Sequence, residues 1–311
     1  MIDKSRYDAH IPVLFDECME LMAPEAGGFY ADGTLGAGGH SEGILNASAP
    51  DGRLISFDLD PDAIETARER LKPFGSRVTI IRDSYVNIGK YAAENSLDGF
   101  IVDLGVSSIQ LDRRNRGFSF LHDGPLDMRF SPEQTVTAAD VVNSWPEEEL
   151  SRILWQYGEE RKSRQIAAMI CAEREHGRIE TTFQLRDIIL SAAGTSHGRI
   201  HPATRSFQAI RIAVNGELNA VEAVLPAAMK ALKSGGRLLV ISFHSLEDRI
   251  VKNFFKTESR DCLCPAEQPV CTCGHKASLR EMTRHPVTAG EDEIKINPRA
   301  RSARLRAAVK I

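Results

Sequence analysis

The stretch with the clearest chemical content is Tyr30-Ala31-Asp32-Gly33-Thr34-Leu35-Gly36-Ala37-Gly38-Gly39-His40. It reads as a strand end, a glycine-dense loop and a helix start at Ser41. Four glycines in seven residues let the backbone take positive φ and come close to a ligand. A loop of this kind at the carboxyl end of a first strand is where open α/β sheets bind nucleotides. Asp58 follows about one β-α-β step later, at the end of the apolar run Leu54-Ile55-Ser56-Phe57. A carboxylate there is placed to accept hydrogen bonds from ribose hydroxyls. The dinucleotide fingerprint is not met, because its third glycine, counted from Gly36, would fall on Ser41. A ribose-bearing ligand without a pyrophosphate fits better, and S-adenosylmethionine is one. A tight turn in a nucleotide-free fold is the competing reading.

Three further groups carry chemistry. Asp103-Leu104-Gly105-Val106-Ser107-Ser108 closes another apolar run. A buried carboxylate at that strand end can orient the methionine part of such a ligand or an acceptor amine, and it can equally cap a turn. The Asp/Asn-Pro-Pro-aromatic signature of many amino-group methyltransferases is missing at this point. Ser242-Phe243-His244-Ser245-Leu246-Glu247-Asp248-Arg249 is a dense polar cluster after a later strand. It suits a loop facing the site, with His244 lining a substrate pocket, and it suits a helix start with Ser245 as cap and acidic residues in the first turn. Arg113-Arg114-Asn115-Arg116-Gly117-Phe118 mixes guanidinium groups with an aromatic ring. That combination serves phosphate contact and base stacking in RNA, or is plain solvated charge.

Cys262-x-Cys264 and Cys271-x-Cys273, with His275 nearby, hold four of the six cysteines. Zinc is one reading, although a one-residue gap is atypical of structural sites; four thiols on a loop is the other. Cys18 and Cys171 read as core residues on helices.

The elements that must position these groups alternate. A helix over 13–22 precedes the glycine loop. Asp60-Pro61 starts a helix that runs to Leu71, as N-cap and first-turn proline. Strands are predicted at Val78–Ile81 and Gly99–Asp103, with a helix near Val86–Glu94 between them. This β-α-β alternation predicts a parallel sheet with crossover helices. From about Ser108 to Arg199 no strand is evident. Ser144-x-x-Glu147 reads as a capping box opening a helix to Tyr157, and helices follow at 159–175 and 183–193. A helical insertion of that length exceeds ordinary connections. Residues 203–232 are helical with breaks expected at Gly216 and Pro226. Gly235-Gly236 is a turn before a strand at 237–243, and residues 303–311, with the basic side chains of 299–311, read as a half-buried final strand.

The chain has 311 residues, 42% hydrophobic content and a net charge of −4. The balance excludes a generally basic nucleic-acid glue, so any polyanion site must be a local patch. No apolar run reaches membrane-helix length and residues 1–10 lack a signal peptide's apolar core, so a cytoplasmic protein is expected.

Taken together, the chain resembles the bacterial 16S rRNA (cytosine-N4)-methyltransferases, the RsmH or MraW family, over nearly its whole length. The residues that carry the resemblance are His10-Ile11-Pro12-Val13-Leu14, Gly36-Ala37-Gly38-Gly39-His40-Ser41, Asp103 to Ser108 with Gln110-Leu111-Asp112, and Arg116-Gly117-Phe118-Ser119-Phe120. Asp123-Gly124-Pro125-Leu126-Asp127-Met128-Arg129, Pro202-Ala203-Thr204-Arg205, Ile241 to Arg249 and Asn297-Pro298-Arg299-Ala300-Arg301-Ser302 complete it. The resemblance implies an α/β fold, a Rossmann-like class I methyltransferase sheet with an inserted all-helical domain. It places the methyltransferase domain at 1–107 and 200–311 and a substrate-recognition insert at 108–199. It implies S-adenosylmethionine as donor and, as target, a cytidine in the decoding region of the small ribosomal subunit RNA. Cofactor positions fall on Gly38, Gly39, His40, Asp58, Tyr85, Asp103 and Gln110, beside Gly36 of the loop, with Tyr85 where an aromatic packs on adenine. Asp103, Ser242 and His244 are the expected acceptors for the target amine, and Arg113, Arg114, Arg116 and Phe118 the expected RNA contacts. No covalent cysteine intermediate is expected, since no cysteine lies in the strand-end loops after positions 103 or 243. Methylation of DNA or a small molecule, and a non-catalytic RNA-binding assembly factor, are the rival functions. The resemblance implies nothing about metal.

Overall fold

The structure is a computed structural model describing residues 12–194, 201–265, 267–268 and 270–311. His10 and Ile11 of the first motif, the polar stretch 1–10 and the expected insert end at Arg199 lie outside the described residues. In chain order come α1 (Phe15–Met22), β1 (Phe29–Asp32), α2 (Gly39–Ala47), β2 (Arg53–Phe57), α3 (Pro61–Leu71), β3 (Val78–Ile81) and β4 (Leu97–Asp103). Then follow α4 (Ser108–Asp112), α5 (Ala138–Ser144), α6 (Glu147–Gly158), α7 (Ser163–Arg174), α8 (Thr182–Ala193) and α9 (Ala203–Asn215). The chain ends with α10 (Glu217–Ala231), β5 (Leu232–Ser242), α11 (Ser245–Glu258), β6 (Leu279–Glu281), α12 (Glu291–Ile296) and β7 (Arg304–Lys310). Two compact units result: Met1–Gly105 with Leu218–Ile311, and Val106–Glu217. No helix among the described residues is long and apolar enough to cross a membrane.

The first unit is built on a seven-stranded sheet in the order β3-β2-β1-β4-β5-β7-β6. Five strands are parallel, and β7 runs antiparallel to both β5 and β6. Its central strands are apolar on both faces, as strands covered on both sides must be. Phe100, Val102, Leu238 and Val240 pack into one core with Phe57, Val224 and Phe255. Ile101, Leu239 and Ile241 point the other way, against Ile44, Leu54 and Leu305. The strand order reverses between β1 and β4, and the loops leaving their carboxyl ends form the crevice where open sheets take ligands.

Several local expectations are met by geometry. Asp60 caps α3 by accepting the Asp62 N–H at 3.0 Å, with Pro61 in the first turn. Others are corrected. Between β3 and β4 there is no helix to Glu94, only a 3-10 turn over Tyr85–Lys90. Asp83 is the reason: it accepts from Asn87 Nδ2 at 2.8 Å and from the Tyr91 hydroxyl at 2.9 Å, and such local bonds compete with helix propagation. Gly235-Gly236 is not a turn before β5 but an irregularity inside it. Leu97 pairs with Leu232 while Gly99 pairs with Arg237, so surplus residues of β5 bulge out around Gly235, whose φ is +83°. Gly216 does stop α9, with φ +60°, but α10 runs on through Pro226. The carbonyl that this proline leaves without a helical donor belongs to exposed Glu222.

Strand β7 is covered on both faces over Leu305–Ala308, because it lies inside the sheet rather than at its edge. Buried Arg306 is therefore not a solvent-face charge. Its guanidinium donates to Asp248 on α11 at 2.6 and 3.2 Å, and Arg304 adds a 3.2 Å bond. Burial alone would raise the Asp248 carboxyl, but the two arginines outweigh it and hold it below the usual range. Arg306→Met leaves a buried carboxylate with one half-exposed partner. The expected cost is about 3 kcal/mol at neutral pH, where Asp248 is ionised, shrinking as the pH falls through the carboxylate range. Urea midpoints at pH 7 and pH 4 check both the size and the sign.

The second unit holds no strand among the described residues beyond a bridge between Pro125 and Thr181. Its core joins Leu150, Ile153 and Leu154 of α6 to Ile166 and Ile170 of α7, Leu185 and Ile189 of α8, and Phe207 and Ile210 of α9. Helix α9 belongs here: a Cβ on Gly158 would stand 2.6 Å from the Arg205 carbonyl oxygen, and Gln208 Nε2 donates to the Tyr157 carbonyl at 2.9 Å. Thr137 with Asp140 and Thr181 with Gln184 form the capping boxes of α5 and α8. The expected box at Ser144 is not made, because the Ser144 hydroxyl donates back to the Asp140 carbonyl within α5 and α6 opens at Pro146 without a side-chain cap. Glu159, at φ +50°, closes α6, so α7 begins only at Ser163.

Candidate cofactor and methyl-transfer site

The glycine loop is tied to both neighbours of β1. Gly33 N–H donates to the Ile101 carbonyl of β4 and Leu35 N–H to the Phe57 carbonyl of β2, each at 2.8 Å. Gly38 has φ +80° and is the N-cap of α2, and a Cβ there would press on Ala67 at 3.3 Å. Glycine thus lets the chain reverse and lets α2 close on α3. Gly39 opens α2 as its first residue, with His40 behind it.

Asp58 stands at the end of β2 with one oxygen on each side of the loop. Oδ2 accepts the Gly36 N–H and Oδ1 the Asp60 N–H, both at 2.9 Å. Burial pushes its carboxyl up to about 6, against the pull of the Asp60 and Gly36 amides. Each oxygen retains a lone pair for a hydroxyl donor. Half-buried Tyr85 follows β3, and its Cβ and the Val102 side chain would both lie 3.1 Å from a Cβ on Gly33. The tyrosine therefore walls the crevice directly beside the loop.

The floor of the crevice is a group of carboxyls. Buried Asp32 accepts the Ser41 hydroxyl at 2.7 Å and the Thr34 N–H at 3.0 Å. Asp103 ends β4, and its N–H donates to the Thr34 hydroxyl at 2.6 Å. Its Oδ1 is sealed from solvent with no hydrogen-bond partner, while Oδ2 lies 3.9 Å from His40 Nδ1. Burial first, then the charges of Asp32 and Glu247, hold the Asp103 carboxyl well above its usual range. His40 Nε2 lies 3.0 Å from the Val13 carbonyl, which only accepts, so Nε2 carries the ring proton. Burial lowers the His40 pKa, partly offset by Asp32. The neutral ring then turns an accepting Nδ1 toward Asp103. Carboxyls crowded together so that burial and mutual repulsion resist their ionisation fit a cationic ligand, whose charge relieves that repulsion.

The cluster after β5 is spent largely on structure. Ser242 is buried and its hydroxyl donates to the Arg304 carbonyl of β7 at 3.4 Å. His244, not Ser245, is the N-cap of α11: its Nδ1 accepts the Glu247 N–H at 3.4 Å, and Glu247 Oε2 accepts the Phe243 N–H at 2.9 Å. Its Nε2 is buried 3.2 Å from Glu247 Oε1 without hydrogen-bond alignment.

The sequence profile of the MraW methylase family matches residues 8–311. The chain belongs to this family. A relative from Geobacter sulfurreducens, named ribosomal RNA small subunit methyltransferase H, is 53% identical over 308 residues, covering 97% of this chain and 99% of its own. One of the same name from Heliobacterium mobile is 50% identical over 309 residues, covering 97% and 99%. Among solved structures, an rRNA methylase from Streptococcus thermophilus aligns with 96% of this chain and 93% of its own, at 11% identity and a TM-score of 0.43.

In this MraW-family chain the sequence-predicted site residues divide. Gly36, Gly38, Gly39, His40, Asp58, Tyr85 and Asp103 come together around one crevice of the first unit. Gln110 lies in the second unit, where its Oε1 accepts the Ser107 N–H at 3.1 Å and completes the capping box of α4. Of the RNA candidates, Phe118 is corrected and Arg116 is tethered within the second unit. Arg116 Nη2 donates to the Arg129 and Phe130 carbonyls at 3.0 and 3.1 Å, and the Phe118 ring is buried, 5.8 Å from that of Phe130. A ring in the core offers no face to a base. Arg113 and Arg114 are exposed. Asp32, Thr34 and Glu247 were not assigned from sequence. Asp32 had a visible signal, as a carboxylate ending the strand before the glycine loop, whereas the contact of Thr34 with Asp103 spans 69 residues.

Proposed function

We propose that the chain transfers the methyl group of S-adenosylmethionine to the exocyclic N4 of a cytidine in the 16S rRNA of the small ribosomal subunit, in the cytoplasm. The observation that carries this reading is identity of about half over nearly the full length to relatives named as small subunit rRNA methyltransferases. The crevice supports the donor half: Asp58 has lone pairs for the ribose hydroxyls, Tyr85 a ring for the adenine, and the Asp32 and Asp103 carboxyls compensate the positive charge.

Bound there, S-adenosylmethionine supplies an electrophilic methyl group on a sulfonium centre. The cytosine amine is a poor nucleophile, because its lone pair is conjugated with the ring, and the target must leave its stack to reach the pocket. Asp103 is the residue placed to help. Its Oδ2, the carboxyl oxygen not sealed from solvent, accepts an N–H of the amine, fixes the nitrogen toward the methyl group and, ionised beside the bound cation, takes the proton released as the C–N bond forms and the sulfonium C–S bond breaks. Positioning of this kind contributes ~7–11 kcal/mol to a transfer. Ser242 and His244 are left with supporting roles, since one donates to a strand and the other caps a helix. Transfer of tritiated methyl to purified, unmodified small subunits tests the reading, with label expected in N4-methylcytidine after digestion. Label in DNA only, or subunit binding without transfer, overturns it.

We assign RNA recognition to the second unit, with Arg113 and Arg114 as phosphate contacts. Replacing both by alanine is expected to weaken RNA binding and flatten the slope of log affinity against log salt by about 0.7 per lost contact. A titration with wild-type slope leaves them as solvated charge. Phe118→Ala, in contrast, is expected to lower stability rather than affinity.

A further inference from the structure

Four cysteine sulfurs of the first unit converge although they belong to no core and no step of the methyl transfer. Cys262 Sγ lies 3.4 Å from Cys271 Sγ and 3.9 Å from Cys273 Sγ, and Cys271 Sγ lies 3.6 Å from Cys273 Sγ. The Cys264 Sγ joins them, all four lying within 4.8 Å of one another. A tetrahedral zinc ion with Zn–S bonds near 2.3 Å requires sulfurs about 3.8 Å apart, a value within the observed spread. All four are free thiols. Two backbone amides already point at the cluster: Leu263 N–H donates to Cys273 Sγ at 3.3 Å and Cys264 N–H to Cys262 Sγ at 3.4 Å. Amides aimed at sulfur are what a thiolate bound to a cation is given as outer support.

The surrounding chain needs such a staple. Between Phe255 of α11 and Leu279 of β6 no described residue is buried. Leu263 and Val270 are 43% and 69% exposed, so among the described residues no buried apolar side chain offsets the ordering of this excursion. Its neck is closed by Ser278, whose N–H and hydroxyl donate to Glu258 at 2.8 and 2.7 Å. His275 Nε2 also lies 3.1 Å from the Thr257 carbonyl. The histidine is thereby occupied by the α11 end, and the four cysteines close the tip beside the Gln268 side chain, which donates to the Val270 carbonyl at 3.0 Å and the Thr272 hydroxyl at 2.9 Å. Small lobes without a core are held by metal or disulfides, and here the sulfur spacing suits the metal.

We infer that Cys262, Cys264, Cys271 and Cys273 form a tetrathiolate site for one structural zinc ion that orders the lobe between α11 and β6. The two Cys-x-Cys pairs each supply two corners of the tetrahedron, and the lobe folds around the ion.

The full-length chain, purified without chelator, tests this by elemental analysis. About one zinc per chain is expected, retained in Cys18→Ser and Cys171→Ser and lost in Cys262→Ser/Cys271→Ser. Cobalt added to zinc-stripped wild-type chain is expected to give the thiolate-to-metal absorption of a tetrahedral sulfur site. Amide exchange over 260–277 is expected to quicken at least tenfold on stripping, with β4 and β5 unchanged, which separates loss of the lobe from global unfolding. Absence of stoichiometric zinc together with four freely reactive thiols overturns the inference. So does a chain that carries iron and sulfide instead, or one whose lobe exchanges equally fast with and without zinc. The outcome is independent of methyl transfer, so failure of one reading leaves the other standing.

Discussion

Asp103→Asn is expected to lower the single-turnover methyl-transfer rate by about 100-fold at saturating cofactor, the usual effect of removing one polar group aimed at the reacting centre. RNA affinity is expected to change less than about twofold, because one contact to the target base is a small part of an affinity carried mainly by the phosphates. Shape is preserved, and the N–H bond to the Thr34 hydroxyl is a backbone bond that the substitution leaves in place. Unfolding is not a competing explanation. Burial and the neighbouring charges of Asp32 and Glu247 raise the Asp103 carboxyl in the folded chain. A carboxyl raised on folding stabilises the chain only below its unfolded value, and its ionisation weakens the fold as the pH climbs. A neutral amide escapes that loss, so the variant should melt at or above the wild-type temperature at pH 7.5. The same raised carboxyl makes a binding prediction. A cation in the crevice favours the charged form. Cofactor binding at neutral pH should therefore release more protons from the wild type than from the variant, in which Asp32 and Asp58 are the raised carboxyls that remain. Calorimetry in two buffers of different ionisation enthalpy reads this directly. A wild-type rate in Asp103→Asn, or equal proton release from both proteins, removes Asp103 from the chemistry.

What was legible in the sequence was local. The glycine loop, the spaced Asp58 and the Asp60-Pro61 helix start are set by neighbours a few residues apart, and their geometry follows their spelling. The two-faced apolar strands are legible for the same reason, since burial on both sides leaves no polar alternation to misread. What failed was contact order. Arg306 reads as exposed in an alternating tail, but the sheet places β7 between two strands and gives the arginine a buried partner 58 residues away in Asp248. Phe118 beside three arginines has the composition of an RNA loop. Only the packing against Phe130 reveals it as core, with Gly117 at φ +70° turning the chain inward. The helix misjudged after β3 shows the remaining difficulty, because Val86–Glu94 has adequate propensity and was overruled by the Asn87 and Tyr91 side chains converging on Asp83.

Asp58→Ala should weaken cofactor binding most of all single changes in the crevice. Two ribose hydroxyls donating to a carboxylate contribute ~1.5–3 kcal/mol each, and both bonds vanish with the side chain. The loop also suffers, since the Gly36 and Asp60 amides lose the acceptor that spaces β2 from α2. Asp58→Asn separates the two effects. It retains one acceptor for a backbone amide but sets an NH2 group against the other, so part of the loop geometry survives while charge is lost. The pH dependence carries the sign. The wild-type carboxyl sits at about 6, raised by burial. Its ionised form is the better acceptor, so as the pH drops through 6 Asp58 should add its own loss of affinity, approaching a further tenfold per unit beyond the slope Asp103 gives near neutral pH. The asparagine variant has no proton to gain at that position and should lose this limb of the profile. Binding isotherms between pH 5 and pH 8 decide the matter. A wild-type affinity that stays level down to pH 5, or an alanine variant that binds as well as wild type while folded, would show that the ribose is held elsewhere.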